Sequence, residues 1–379
     1  MVIDVEGTLR KRHLVVAFHS QIFGEISMRF VSLLFATAMT LSPLVAVAQT
    51  ASQGGPLIDY GTRFIPEIAA KGMVSGPEKL ASEAGLSMLK QGGNAVDAAV
   101  ATGFALAVTL PRAGNLAGGG FMLVHLAKTD EQVFIDYREM APASASRDMF
   151  LNEDGTVNKQ MAYNSPSAAG IPGTVAGMIH ALENYGTLDL KTVIQPAIEL
   201  AKQGFKVPAA LHLNLRAATK RLARNEEANR IYLAGTGTAP AMGSLFKQPD
   251  LAATLQRIRD KGTDGFYKGK TAALIVEEMQ RNGGLITRAD LANYRALERQ
   301  PVRSMFRGYE LVSAPPPSSG GIHVSQILTL LEPFPLKELG HNSAGYLHVL
   351  IEAMKLAYAD RSEYLGDPDR TAIPMTKLT

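Results

Sequence analysis

Arg138 is the side chain of this sequence that is best placed to bind a ligand. It ends residues 132–138, a run whose apolar and β-branched residues predict a strand. Phe134, Asp136 and Arg138 would share one face of that strand. A guanidinium at the end of an apolar strand can form two parallel hydrogen bonds to a carboxylate. The spacing equally allows a salt bridge from Arg138 to Asp136 or Glu139, so the residues alone leave both interpretations open.

Two glycine-containing segments resemble nucleotide sites, but one lacks the required spacing and the other the required order of strand and helix. Residues 269–271 read Gly-Lys-Thr at a predicted helix start, yet three residues rather than four separate Gly269 from Gly265, and no buried strand comes before them. Residues 118–120 are three glycines that lead from a helix into a strand, the reverse of a dinucleotide fingerprint. Their backbone N–H groups could instead line a substrate pocket.

The polar clusters give no metal or cofactor site. His348 and Glu352 lie four apart on a predicted helix but do not extend to a His-Glu-x-x-His pattern, so an exposed polar face is the better interpretation. The acidic residues within 360–369 favour helix capping and ion pairing over cation binding. No nucleophile elbow or Ser/His/Asp order is found, and we expect no cofactor and no metal.

Composition excludes several classes of protein. The 379 residues are 46% hydrophobic and 19% charged, a globular balance that argues against coiled coils, collagen and disorder. A net charge of +3 without clustered Lys and Arg argues against a nucleic-acid partner. There is no cysteine, which excludes disulfides, thiolate metal sites and a cysteine nucleophile.

The N-terminal region has the pattern of an export signal. Residues 30–47 are apolar, Arg29 stands before them, and Ala46-Val47-Ala48 has the small-x-small pattern of a cleavage site. We therefore expect an extension plus signal peptide over residues 1–48, and a periplasmic or secreted protein with no stable membrane anchor. The alternative is an uncleaved anchor, since the run is borderline in length for a membrane span.

The elements that must position these residues are mainly helical. Asn94 and Thr287 have the sequence of helix N-caps, and glycine pairs follow two of the helices. Helices outnumber strands, which leaves the α/β and α+β classes open. We predict helices over residues 78–91, 95–110, 174–185, 192–203, 208–222, 249–261, 271–281, 322–331 and 343–364, and strands over 121–127, 132–138 and 306–314. In the last helix the predicted buried residues are Leu347, Leu350, Ile351, Met354 and Tyr358.

Seven segments, taken in order, resemble the large subunit of the gamma-glutamyltransferase (gamma-glutamyl transpeptidase) family. The segments are residues 92–99, 114–123, 136–142 (DYREMAP), 173–177, 283–287, 315–321 and 360–369 (DRSEYLGDPD). The resemblance assigns residues 62–379 to the large-subunit region, after a flexible tail over residues 49–61. The related cephalosporin acylases share the architecture. One departure is Glu78-Lys79, near a position where the family more often has a histidine.

The resemblance implies an α+β fold, the αββα sandwich of N-terminal-nucleophile hydrolases, here mainly its helix-rich part with an incomplete sheet. It implies that a precursor cleaves itself into two subunits, and that a threonine of the small subunit attacks the gamma-glutamyl amide of glutathione or a related compound. Arg138 matches the family arginine that holds the α-carboxylate of the glutamyl group. By resemblance, the nucleophile lies beyond Thr379, so we expect this chain alone to be inactive. The leading interpretation is most of a large subunit, and the alternative is an inactive fragment that only binds a ligand or a partner.

Overall fold

The computed structural model describes residues 68–378, and within them helices predominate. The helices are α1 (Lys79–Lys90), α2 (Ala95–Thr109), α3 (Lys159–Asn164), α4 (Thr174–Tyr185), α5 (Leu190–Gln203), α6 (Ala209–Leu222), α7 (Glu226–Tyr232), α8 (Pro249–Lys261), α9 (Asp264–Tyr267), α10 (Gly269–Asn282), α11 (Arg288–Asn293), α12 (Gly320–Leu331), α13 (Leu336–Leu339), α14 (Ala344–Tyr364) and α15 (Met375–Leu378). The long helices that the sequence predicts are confirmed, with ends shifted by at most two residues.

The strands of the described region form small antiparallel sheets. The strands are β1 (Phe121–Leu126), β2 (Glu131–Asp136), β3 (Phe205–Lys206), β4 (Leu245–Phe246), β5 (Leu297–Arg299), β6 (Val302–Phe306) and β7 (Tyr309–Ser313). β2 lies between β1 and β5 in a three-stranded sheet, and β3–β4 and β6–β7 are separate pairs. Many helices with little sheet make this an α+β structure.

The core is built around α2, whose residues from Val96 to Thr109 are all buried. Its N-terminus has the predicted capping box, in which Asn94 accepts hydrogen bonds from the first turn and Asp97 accepts one from the Asn94 N–H at 2.7 Å. The Asp97 carboxylate also accepts hydrogen bonds from Thr187 and Leu188. One buried carboxylate therefore joins the start of α2 to the loop between α4 and α5.

Two strand predictions need correction. Residues 306–314 are not one strand, because Arg307 (φ 49°) and Gly308 (φ 85°) form a tight turn between β6 and β7. Two successive residues with positive φ suit the two-residue turns of β-hairpins. The second strand ends at Asp136 rather than Arg138, although Tyr137 and Gly120 still exchange two backbone hydrogen bonds.

The predicted buried face of α14 is wrong. Only Ala353 and Ala357 of this helix are buried, whereas Ile351 and Tyr358 are each 52% exposed and Met354 is 37% exposed. The sequence pattern marks a face that is suited to burial, but in the described region most of it stays exposed, and only the Tyr358 ring has an aromatic partner, the His323 ring of α12 at 4.9 Å between centroids.

Residues 72–378 form one compact unit. The predicted signal peptide and the tail over residues 49–61 lie outside the described residues, and the proposed boundary at residue 62 does too. Between residues 68 and 378 no helix combines the length and the apolar character that crossing a membrane requires.

Candidate functional site

Arg138 is exposed, two residues beyond the end of β2, and the residue before it is buried. Tyr137 is 4% exposed and fixes the chain there, since its ring lies against the backbone of α4. A Cβ atom at Gly177 would lie 2.1 Å from Tyr137 Cγ, so only glycine fits this position of α4. Likewise, a Cβ atom at Gly119 would lie 2.5 Å from the Tyr137 carbonyl oxygen. Two predicted motifs thus provide the close contacts that hold the strand end.

The backbone of Arg138 is held from the other side by two stacked tyrosines. The Tyr294 hydroxyl donates a hydrogen bond of 2.8 Å to the Arg138 carbonyl oxygen. The Tyr294 ring stacks on that of Tyr267, with centroids 5.8 Å apart, and the Tyr267 hydroxyl donates to the Pro172 carbonyl oxygen. Burial raises the pKa of both hydroxyls well above the usual value, which keeps them protonated as donors.

Asp136 forms its salt bridge with Arg299, which the sequence analysis did not consider as its partner. Arg299 Nε donates to Asp136 Oδ2 at 2.7 Å, and the Arg138 backbone N–H donates to Asp136 Oδ1 at 3.1 Å. Arg299 also binds both carboxylate oxygens of Asp369, at 3.1 and 2.6 Å. These bonds lower the pKa of Asp369. The Asp136 carboxylate therefore orients the Arg138 backbone, while its charge is balanced by Arg299.

A cleft of about 620 Å³ opens beside Arg138. Its walls come from residues 136–145, 294–299, 317–319 and 361–370, so the fold brings together three of the seven sequence motifs. Asp290 Oδ1 accepts a hydrogen bond of 3.0 Å from the Ala143 N–H and so fixes the loop that follows Arg138 to α11.

The cleft carries an excess of guanidinium groups. Five arginines line it, namely Arg138, Arg295, Arg299, Arg361 and Arg370. The acids are Asp136, Glu139, Asp367 and Asp369, and the first and last of these are bound to Arg299. Arg361 donates to Ser319 Oγ at 2.8 Å, and Arg295 donates to main-chain carbonyls. A cleft with this balance of charge suits a carboxylate ligand.

Comparison with known proteins identifies the family of this chain. Residues 81–379 match the model of the family described as gamma-glutamyltranspeptidase. This chain belongs to the gamma-glutamyltranspeptidase family.

The relatives agree with this family in both sequence and structure. The "Glutathione hydrolase proenzyme" of Escherichia coli K12 is 48% identical over 332 residues, which are 87% of this chain and 57% of that protein. The crystal structure of Helicobacter pylori gamma-glutamyltranspeptidase superposes with a TM-score of 0.81 at 44% identity, covering 83% of this chain and 90% of that chain. The "Acylase ACY 1 proenzyme" of Pseudomonas sp. SE83 is 39% identical, over 84% of this chain and 58% of that protein. The chain spans little more than half the length of these curated relatives.

The other candidate residues contribute to helix packing or lie on the surface. Thr271 of the Gly-Lys-Thr segment donates to the Gly265 carbonyl oxygen and accepts from Arg257, so its hydroxyl is part of the helix packing. Glu352 pairs with Lys355, and both His348 and Glu352 are exposed, as expected.

The two remaining segments are also explained by backbone contacts. Gly118 accepts hydrogen bonds from Gly173 and Thr174 at the start of α4, and none of residues 118–120 lines the cleft. Glu78, at the position that departs from the family pattern, caps α1 by accepting from the Ala81 N–H. In the described part of the chain no group of three or more His, Asp or Glu side chains could hold a metal ion.

Sequence reasoning missed five residues of the site, namely Tyr294, Arg295, Arg299, Arg361 and Arg370. Tyr294 and Arg295 follow a short helix and belong to no recognised motif, so no local signal marks them. Arg361 lies within the family motif over residues 360–369, but the acidic residues of that motif indicate capping and ion pairing rather than a binding arginine. The five become recognisable only when the fold brings residues 294–299 and 361–370 to Arg138.

Proposed function

We propose that the protein containing this chain hydrolyses glutathione and other gamma-glutamyl amides and transfers the gamma-glutamyl group to amines. The observation that carries the proposal is Arg138, exposed at a fixed strand end in a cleft rich in guanidinium groups. A gamma-glutamyl compound presents an α-carboxylate at the end remote from the reacting amide. Two parallel hydrogen bonds from Arg138 would hold that carboxylate and leave the amide free for attack.

The nucleophile, in this proposal, is a threonine from the part of the proenzyme that this chain does not span. Family membership and the relatives' designation as proenzymes support a precursor that is processed into two subunits. The threonine attacks the amide carbonyl carbon, its α-amine accepts the hydroxyl proton, and the amine product leaves with that proton. Water or an acceptor amine then attacks the acyl-enzyme and releases glutamate or the transfer product.

The second subunit, we propose, covers the exposed face of α14. Leu347, Ile351, Met354 and Tyr358 follow one another at intervals of three and four on this helix, and each is more than a third exposed. A continuous apolar face of this kind marks a protein interface. This chain spans 57% of the Escherichia coli protein, so a second subunit of the length found in that relative would be large enough to cover the face.

Activity of the full-length protein tests the proposed function. We expect it to release the amine from a gamma-glutamyl anilide, with glutamate as the second product. The acylase relative motivates the alternative, a glutaryl-cephalosporin acylase. Efficient hydrolysis of glutaryl-cephalosporin without turnover of the gamma-glutamyl anilide would establish that alternative, and turnover of neither would favour a protein that only binds its ligand.

We propose that this enzyme acts outside the cytoplasm, in the periplasm or as a secreted protein. The proposal rests on the apolar run over residues 30–47 and the Ala46-Val47-Ala48 pattern. Mass spectrometry of the exported protein should find Gln49 as the first residue. Retention of residues 30–47 in the mature protein would instead support the anchor.

A further inference from the structure

A second cavity, of about 540 Å³, lies apart from the Arg138 cleft and shares no lining residue with it. α7, α8 and α10 form most of its wall, together with residues 115–117 and 169–172. Leu116, Phe266, Ile275 and Ile286 give it an apolar interior. Its volume is in the range of small-molecule sites, roughly 300–1,000 Å³.

One half-buried cation, Arg257, lies in this apolar wall. Its Nε donates to Thr271 Oγ1 and its Nη2 to Thr254 Oγ1, each at 2.8 Å. The Thr271 hydroxyl is itself fixed, because it donates to the Gly265 carbonyl oxygen at 2.6 Å. The guanidinium is thus held in one orientation by neutral partners, and no carboxylate between residues 68 and 378 lies within 4.0 Å of it.

The acids at the cavity are already paired. Asp250 binds Arg230 at 2.7 Å, and Glu278 binds Arg281 at 2.9 Å. Lys247, at the rim, is exposed and has no carboxylate partner in the described region. The lining therefore has two cations, Arg257 and Lys247, whose charge is not balanced by protein carboxylates.

We propose that this cavity binds a small amphipathic monocarboxylate, with its apolar tail against the aliphatic lining and its carboxylate on Arg257. A half-buried guanidinium with remaining N–H donors is a favourable partner for one carboxylate. The aliphatic part of the lining suits an apolar tail, which the glutamyl group lacks. The site is thus distinct in chemistry as well as in position from the cleft of the proposed function.

Calorimetric titration of the full-length protein with octanoate, and with octan-1-ol as the uncharged analogue, tests the proposal. Octanoate should bind saturably, and saturating glutamate should not displace it. Arg257→Gln should weaken octanoate binding about tenfold and leave octan-1-ol binding unchanged, the loss typical of one charge-assisted contact. Arg259→Gln is the matched control, because Arg259 lies on the same helix, pairs with Asp260 and does not line the cavity.

A second variant keeps the Arg257 hydrogen bonds intact. Leu274, on the lining, is 49% exposed, so Leu274→Trp should fill the cavity mouth and abolish binding of both ligands without disturbing the core. Leu213→Trp is its control, at an exposed position of α6 outside the cavity. Both cavity variants should retain the parent protein's rate of gamma-glutamyl anilide hydrolysis. Absence of octanoate binding, or equal binding by the parent protein and both cavity variants, would overturn the proposal.

Discussion

The Tyr294 hydroxyl donates a hydrogen bond of 2.8 Å to the carbonyl oxygen of Arg138. The two residues are far apart in the sequence, and the bond fixes the backbone of the arginine rather than its side chain. Tyr294 in turn stacks on Tyr267, which is anchored to the Pro172 carbonyl oxygen. The backbone position of Arg138 is therefore fixed by two buried tyrosines.

Tyr294→Phe tests this positioning role. The ring stack is preserved and one hydrogen bond is lost, so we expect a stability decrease of about 1 kcal/mol. The KM for a gamma-glutamyl anilide should rise several-fold with little change in kcat, because the loss concerns binding of the glutamyl group. Tyr185→Phe is the control, since the Tyr185 hydroxyl binds Glu298 and lies outside the cleft. Equal effects of the two substitutions on KM would contradict a positioning role for Tyr294.

Gly177→Ala tests the contact between α4 and Tyr137. The new methyl group would lie 2.1 Å from Tyr137 Cγ, so the ring or the helix must move. We expect a loss of stability of about 1–3 kcal/mol, typical of overpacking, together with a raised KM. Gly345→Ala is the matched change, because a Cβ atom there has only an ordinary contact at 3.4 Å with Leu339. Thermal unfolding should show the first variant destabilised and the second neutral or slightly stabilised.

The link between Asp369 and Arg299 should make part of the stability pH-dependent. Hydrogen bonds from Arg299 lower the pKa of Asp369 below its ordinary value of 3.8. The ionised carboxylate therefore stabilises the fold above pH 3.8, and this contribution is lost as the pH falls through the lower folded value. Because Asp369 is half exposed, the contribution is below about 1 kcal/mol.

Urea unfolding of the parent protein and the Asp369→Asn variant measures this contribution. The parent should be more stable at pH 7, and the difference should narrow as the solution is acidified below pH 3.8. A difference that stays constant across the acid range would contradict an origin in the charge of Asp369.

The exposed face of α14 should be sensitive to charge in the two-subunit protein. Ile351→Asp places a carboxylate on the proposed interface and should weaken subunit association by at least about 2 kcal/mol, the cost of losing one buried aliphatic contact. The control is Lys355→Asp on the same helix. Lys355 pairs with Glu352 in the parent, and its replacement should leave association nearly unchanged. Size-exclusion chromatography across a urea series measures the separation of the subunits. The same midpoint for the Ile351→Asp variant and the parent would rule out this face as the interface.

Local signals predicted the helices and their ends well because caps act over a few residues. Asn94 with Asp97, and Thr287 with Asp290, form the capping boxes that their spacing predicts. The turn at Arg307 was missed because an arginine with positive φ gives no signal in the sequence.

The site was predictable only in part. Arg138 could be identified from its strand and its motif, but the motif pattern cannot show that Asp136 pairs with Arg299 or that Tyr294 holds the arginine. Those contacts join segments more than a hundred residues apart, and they depend on packing. The same holds for α14, where periodicity identifies an apolar face but cannot show that this face stays exposed in the described region.

Kinetics of an Arg138→Ala variant with two substrates test the central claim most directly. The substrates are a gamma-glutamyl anilide and the corresponding 4-aminobutyryl anilide, which lacks only the α-carboxylate. If Arg138 binds that carboxylate, kcat/KM for the gamma-glutamyl anilide should fall by about ten- to a hundredfold, and that for the 4-aminobutyryl anilide should not change. Arg281→Ala, at an exposed arginine outside the cleft, should alter neither. An equal loss with both substrates, or no loss with either, would contradict the account.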